Sequence, residues 1–78
     1  MNNYYINIGS VTHAMKGRNL LLSNGYRAVV KRKPQSSRRE GCGYTINVEN
    51  VSDIQQVLNV LVSGEVRVVG YGEYRDRP

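Results

Sequence analysis

Four extended segments alternating with two helical ones predict an α+β fold, a four-stranded antiparallel sheet with two helices on one face. Three observations lead there. Tyr4-Tyr5-Ile6-Asn7-Ile8 and Tyr44-Thr45-Ile46-Asn47-Val48 alternate apolar and polar residues with the period of a half-buried strand. Two other stretches repeat their apolar residues at helical spacing and stop at a glycine. The halves also match each other. Ile6-Asn7-Ile8 recurs as Ile46-Asn47-Val48, Leu20-Leu21-Leu22 as Asn59-Val60-Leu61, Gly25 as Gly64 and Val29-Val30 as Val68-Val69, with one residue of slippage between strand and helix.

The first strand covers residues 4–8. Ser10 or Thr12 then caps a helix whose apolar face draws on Met15, Leu20, Leu21 and Leu22, and Asn24-Gly25 closes it in the left-handed conformation. Tyr26 to Lys31 is β-branched and ends in charge, as suits an edge strand. A loop over residues 33–42 leads to the third strand. Ser52-Asp53-Ile54-Gln55 reads as a capping box, with the Ser52 and Gln55 side chains each taking a free backbone N–H. Ile54, Val57, Leu58, Leu61 and Val62 fall on one helical face, Gly64 ends the helix, and Val66 to Tyr71 forms the last strand. Residues 75–78 are expected to fray. Two interleaved βαβ units give the ferredoxin-like βαββαβ sandwich, with the first and third strands as central neighbours. Its open sheet face would centre on Tyr5, Asn7, Thr45 and Asn47.

The chain has 78 residues, enough for one domain over 1–78. A chain this short buries only about 60–65% of its unfolded surface, which leaves no room for a deep enclosed active site. One cysteine cannot form an internal disulfide, and Met1-Asn2-Asn3-Tyr4 lacks the charged start and apolar core of a signal peptide. No apolar run approaches the roughly 20 residues that span a bilayer. These features point to a reducing cytoplasm and no membrane partner. The formal net charge of +5, with a pI near 9.7, suits an anionic partner or serves solubility alone.

Candidate chemistry narrows quickly. Gly41-Cys42-Gly43-Tyr44 overlaps the middle of the RNA-recognition signature K/R-G-F/Y-G/A-F-V-x-F/Y, but Cys42 takes an aromatic position, Glu40 the basic one and Asn47 the closing aromatic. Parity opposes it further. That signature would turn Tyr44, Ile46 and Val48 to solvent and bury Thr45 and Asn47. Tyr5 is then the one good stacking residue expected on the open face. Gly70-Tyr71-Gly72 and Gly41-Cys42-Gly43 lack the following helix of a phosphate loop. One Cys and one His cannot build a zinc site alone, so neither a metal nor a cofactor is expected. A Cys42–His13 nucleophilic pair is expected to fail on distance: His13 follows the carboxyl end of the first strand and Cys42 precedes a third strand taken as parallel to it, so six strand residues separate the two ends by roughly 20 Å. His13 is expected to be a surface residue of the first turn.

The thiol remains. Lys31, Arg32, Lys33, Arg38 and Arg39 precede Cys42 closely and only Glu40 opposes them, so positive charge would favour the thiolate over a thiol of ordinary pKa near 8.5. Gly41 and Gly43 clear bulk from both sides of the sulfur. The other reading of Cys42 is a small buried hydrophobe at the start of a strand.

Thr12-His13-Ala14 opening the first helix, a Leu-rich helix ending at Gly25, a basic second strand, Pro34, Ser36-Ser37 and then Cys42-Gly43 resemble, in order and spacing, the small selenium/sulfur carrier-like proteins. The resemblance implies a ferredoxin-like domain whose loop cysteine carries sulfur or selenium as a persulfide or selenopersulfide. The family's Cys-Gly pair maps onto Cys42 and Gly43, which makes Cys42 the carrier thiol; Gly41, Arg38 and Arg39 are expected near the cargo from their own place in this chain. Such a protein is a carrier rather than an enzyme. Its partners would be protein donors and acceptors, such as a cysteine desulfurase or a selenium-metabolism enzyme. Serines often directly precede the cysteine in that family, whereas Glu40 and Gly41 stand there in this chain. Arg38 and Arg39 are therefore the residues expected to stabilise negative charge. The alternative is a nucleic-acid-binding module that uses Lys31, Arg32, Lys33, Arg38, Arg39 and Tyr5, and a homodimer is a third expectation.

Overall fold

The apolar positions of the two alternating segments meet across the middle of one sheet. β1 (Asn2–Ile8) lies antiparallel to β3 (Tyr44–Val51), with Ile6 opposite Ile46 and Tyr4 opposite Val48. Ile6, Ile8, Ile46 and Val48 are all fully buried. The structure, a computed structural model, describes residues 2–32 and 43–74. Within them α1 (Val11–Ser23) leads to β2 (Arg27–Arg32), and α2 (Ile54–Ser63) leads from β3 to β4 (Val68–Tyr74). The sheet order is β2-β3-β1-β4, antiparallel throughout, which is the ferredoxin-like sandwich that the βαβ repeat predicts. The expected loop over 33–42 and the tail 75–78 lie outside the described residues.

Antiparallel pairing changes one inference. Against the expectation of a third strand parallel to the first, Ile8 at the carboxyl end of β1 stands opposite Tyr44 at the amino end of β3. His13 and Gly43 therefore belong to the same end of the sheet, which removes the ground for a 20 Å separation; Cys42 itself lies outside the described residues.

Both helices cover one face, α1 over β2 and β3 and α2 against β4. The apolar stripe of α1 differs from the Leu-rich one expected. Ala14, Gly17 and Leu21 are buried, while Met15 and Leu22 are exposed. Three consecutive leucines fan over some 200° of helix, so Leu21 is buried, Leu20 packs partly buried against the core and Leu22 is left exposed. Close approach selects the small residues. A Cβ on Gly17 would stand 2.8 Å from Ile46 Cδ1 and 3.0 Å from Leu61 Cδ2, so the helix backbone rests directly on the sheet and on α2. In α2 Val57 and Leu61 are buried, and Leu58 and Val62 lie outside the core.

The helix ends follow local chemistry. Ser10 caps α1, its Oγ accepting from His13 N–H at 3.2 Å. Asp53 rather than Ser52 caps α2, its Oδ1 accepting from Gln55 N–H at 3.0 Å, and Gln55 Nε2 donates forward to Asn59 rather than back to the cap. β3 runs to Val51 through a left-handed Asn50 (φ 57°), so the chain turns into the helix one residue later than a serine cap requires. At the carboxyl ends the repeat is stricter than the sequence comparison indicates. Tyr26 N–H donates to Leu21 O and Gly25 N–H to Leu22 O; Val66 N–H donates to Leu61 O and Glu65 N–H to Val62 O. The separation is a constant 40 residues (61 − 21 and 66 − 26) with no slippage. Both ends form the bonding pattern of a Schellman motif, whose left-handed position is Gly25 in one half and Glu65 in the other (φ 86° and 63°).

This asymmetry makes a prediction. Glu65 bears the steric cost of a left-handed L-residue, about 1–2 kcal/mol, which Gly25 avoids. Glu65→Gly is expected to raise stability by about 0.5–1 kcal/mol, and Gly25→Ala to lower it by about 1 kcal/mol. Urea midpoints of the two variants measured against the parent chain check both.

Candidate functional site

One end of the sandwich gathers the features that bear on function. β1 finishes there at Ile8, flanked by Tyr44 of β3 and Val68 of β4, and α1 begins there at Val11. β2 leaves at Arg32 and the chain returns at Gly43, so residues 33–42 are anchored at this end on both sides. Sequence-predicted Gly43 and Arg32 are thereby brought together: Arg32 pairs with Tyr44, the residue after Gly43. Cys42, Gly41, Arg38, Arg39 and Lys33 lie outside the described residues.

The electrostatics of this end are positive. The first turn of α1 holds no acidic residue, and its leading amide N–H groups carry the positive end of the helix dipole. Arg32 and Arg67 are exposed beside it, and Glu65 at the carboxyl end of α2 is the one acid here among the described residues. Sequence reasoning missed Arg67 because it stands in the second half of the chain, just ahead of β4.

His13 is half-buried rather than a free surface side chain. Its Nδ1 accepts from the Arg67 backbone N–H at 3.1 Å, so the neutral ring carries its proton on Nε2. The bond ties the start of α1 to the segment leading into β4. The contact joins residues 54 apart in sequence, a separation no local pattern reveals.

The opposite sheet face carries the residues of the nucleic-acid alternative, and the structure divides them. Tyr5, Asn7 and Asn47 lie on the open face as expected, with Thr45 largely covered among them. Lys31 pairs with Thr45 and joins them, whereas Arg32 pairs with Tyr44 and turns to the helix-bearing side. Tyr44, Ile46 and Val48 all pack into or against the core, so the aromatic position of the RNA-recognition signature is unavailable to bases. Tyr5 has company, since Tyr74 shares its face and lines a groove of about 290 Å³ with Arg27, Val29, Lys31, Asn47 and Glu49. The Tyr5 ring lies across Gly72, where a Cβ would stand 2.6 Å from its Cζ. Arg27 and Glu49 pair across the groove floor at 3.7 Å, both well exposed to solvent. Among the described residues no group of three His, Cys, Asp or Glu side chains could hold a metal, and no helix is long and apolar enough to cross a membrane.

The fold and this cationic end define the chain as a small basic α+β domain of ferredoxin-like topology. The chain belongs to the family described as "Putative Se/S carrier protein-like", which matches residues 3–71. That span includes both anchors, Arg32 and Gly43, and the cysteine between them. No curated protein and no solved structure shows significant similarity to the chain.

The His13 bond yields the test of this end's architecture. His13→Ala removes the acceptor of the Arg67 backbone N–H and is expected to cost about 0.5–1.5 kcal/mol, the net worth of one hydrogen bond. His13→Asn offers Oδ1 at nearly the place of Nδ1 and should recover most of that loss. Thermal unfolding of both variants, with amide exchange at Arg67, reads the effect.

Proposed function

We propose that the protein carries sulfur or selenium on Cys42, accepting the atom from one protein and delivering it to another without catalysing further chemistry itself. The observation that carries this is the family match over residues 3–71, which spans the only cysteine of the chain. Support comes from the end of the fold at which the neighbouring Gly43 stands, with the amino terminus of α1, Arg32 and Arg67 around it.

The chemistry balances in two exchanges. The Cys42 thiolate attacks the terminal sulfur of a donor persulfide, a new S–S bond forms at Cys42, the donor's own S–S bond breaks, and the donor leaves as a thiolate. In delivery an acceptor nucleophile attacks that terminal sulfur and Cys42 leaves as a thiolate. Selenium follows the same course through a selenopersulfide. Neither step requires a second cysteine, a metal or a redox cofactor in the carrier. Positive charge serves both, because the attacking and leaving forms of Cys42 are anions. Arg38 and Arg39, four and three residues before Cys42, are the residues assigned to stabilise them, and Gly41 and Gly43 leave room for a partner's active site. A cysteine desulfurase or a selenium-metabolism enzyme has the chemistry of the donor, and a reducing cytoplasm keeps the lone thiol available.

Incubation with a cysteine desulfurase and cysteine, followed by intact-mass measurement, is expected to show addition of one sulfur atom that Cys42→Ser abolishes. Arg38→Ala with Arg39→Ala should slow alkylation of Cys42 at neutral pH and move its titration toward the ordinary thiol value near 8.5. Absence of any mass shift with sulfur and selenium donors alike would contradict the assignment.

A further inference from the structure

The two edges of the sheet are built differently. β2 carries Arg27, Lys31 and Arg32 within six residues, charged side chains of the kind that keep a free edge from pairing. β4 carries one charge, Glu73, in seven residues, and among the described residues no strand lies along its outer edge. Val69 and Tyr71 on it are 47% and 49% exposed. Tyr71 pairs with Ile6 and so stands on the helix-bearing side, while Gly70 and Val68 pair with the successive residues Asn7 and Ile8, which makes Val69 the extra, bulged residue of this edge. Val62 of α2, 65% exposed, follows the buried Leu61 on the flank opposite Gly64. Since Gly64 rests against Leu20 of α1, Val62 faces away from α1, toward the β4 side of the sandwich. An apolar patch thus runs from the edge strand onto the helix above it, with no guarding cation.

We infer that β4 pairs antiparallel with β4 of a second copy of the chain, joining the two sheets into one. The charge pattern of the edge selects a copy of itself. The edge opens at Arg67 and finishes at Glu73, both exposed, so antiparallel pairing brings unlike charges alongside at each end of the seam. A two-fold axis at Gly70 brings Tyr71 of each copy beside the bulged Val69 of the other. Aromatic and β-branched cross-strand neighbours of this kind stabilise paired strands. On the open face Gly70 and Gly72 leave the seam free of bulk beyond the Tyr5 ring. The second copy is reversed, so the ends carrying Gly43 point apart, and the dimer stands independently of the carrier assignment.

Sedimentation equilibrium of the full chain, with a thiol reductant present to exclude a Cys42 disulfide, tests this. A concentration-dependent dimer is expected. Val69→Lys, which gives β4 the guard that β2 already has, should weaken association about tenfold or more, as should Glu73→Arg. Arg67→Glu combined with Glu73→Arg should restore it. Circular dichroism establishes that each variant keeps the parent fold. A parent chain that stays monomeric at about 1 mM, a dimer that Val69→Lys leaves intact, or a charge swap that fails to restore association would overturn the inference.

Discussion

The antiparallel pairing of β1 with β3 is the constraint on which everything else in the molecule depends. It sets Ile6 against Ile46 and Tyr4 against Val48, placing the fully buried Ile6, Ile8, Ile46 and Val48 on one face. At roughly 1.5–3 kcal/mol for each fully buried aliphatic side chain, these four form a large share of what a short chain has for stability. A slip of one residue in either strand would exchange them for Asn7, Thr45 and Asn47. The pairing also fixes direction. It delivers the end of β1, the start of α1 and the start of β3 to one place, and the helical crossovers bring Arg32 and Arg67 to the same end.

The fold was legible because strands announce themselves by parity. Alternation in Tyr4–Ile8 and Tyr44–Val48 predicted the central pair, its buried face and the inward turn of Tyr44, which is what removed the RNA-recognition register. Helices were less legible because an apolar residue says which element it belongs to but not which way it faces. Met15 and Leu22 look like core, yet the sheet chooses Ala14 and Gly17, whose small size lets the α1 backbone approach Ile46 and Leu61. The internal repeat shows the same limit from another side. Matching glycines aligned Gly25 with Gly64 and forced a slippage, whereas backbone hydrogen bonds align Gly25 with Glu65. Conformation is repeated there and residue type is not.

The candidate site divides along similar lines. Gly43, Arg32, Lys31 and Tyr5 were identifiable from residue type and neighbourhood, and all four are placed, the first two at the cationic end and the last two on the open face. Arg67 and the role of His13 were not, since both depend on a contact across the whole fold. The cationic end is therefore assembled from three separate stretches of chain: the residues around Arg32 and Gly43, the first turn of α1, and the segment before β4. A segment tethered at Arg32 and Gly43 begins and ends inside that field. Such an arrangement suits a thiol that must act as an anion while a partner protein approaches it.

Because Cys42 is the only cysteine, a nitroxide spin label attached to it reports directly on the claim that the antiparallel central pair presents the thiol at this end. Paramagnetic broadening of backbone amide signals is expected at Gly9, Ser10, His13, Gly43 and Arg67, with Asn24, Tyr26 and Asp53 at the far end spared. Broadening centred on Asn24, Tyr26 and Asp53 instead, or spread evenly over both ends, would contradict it.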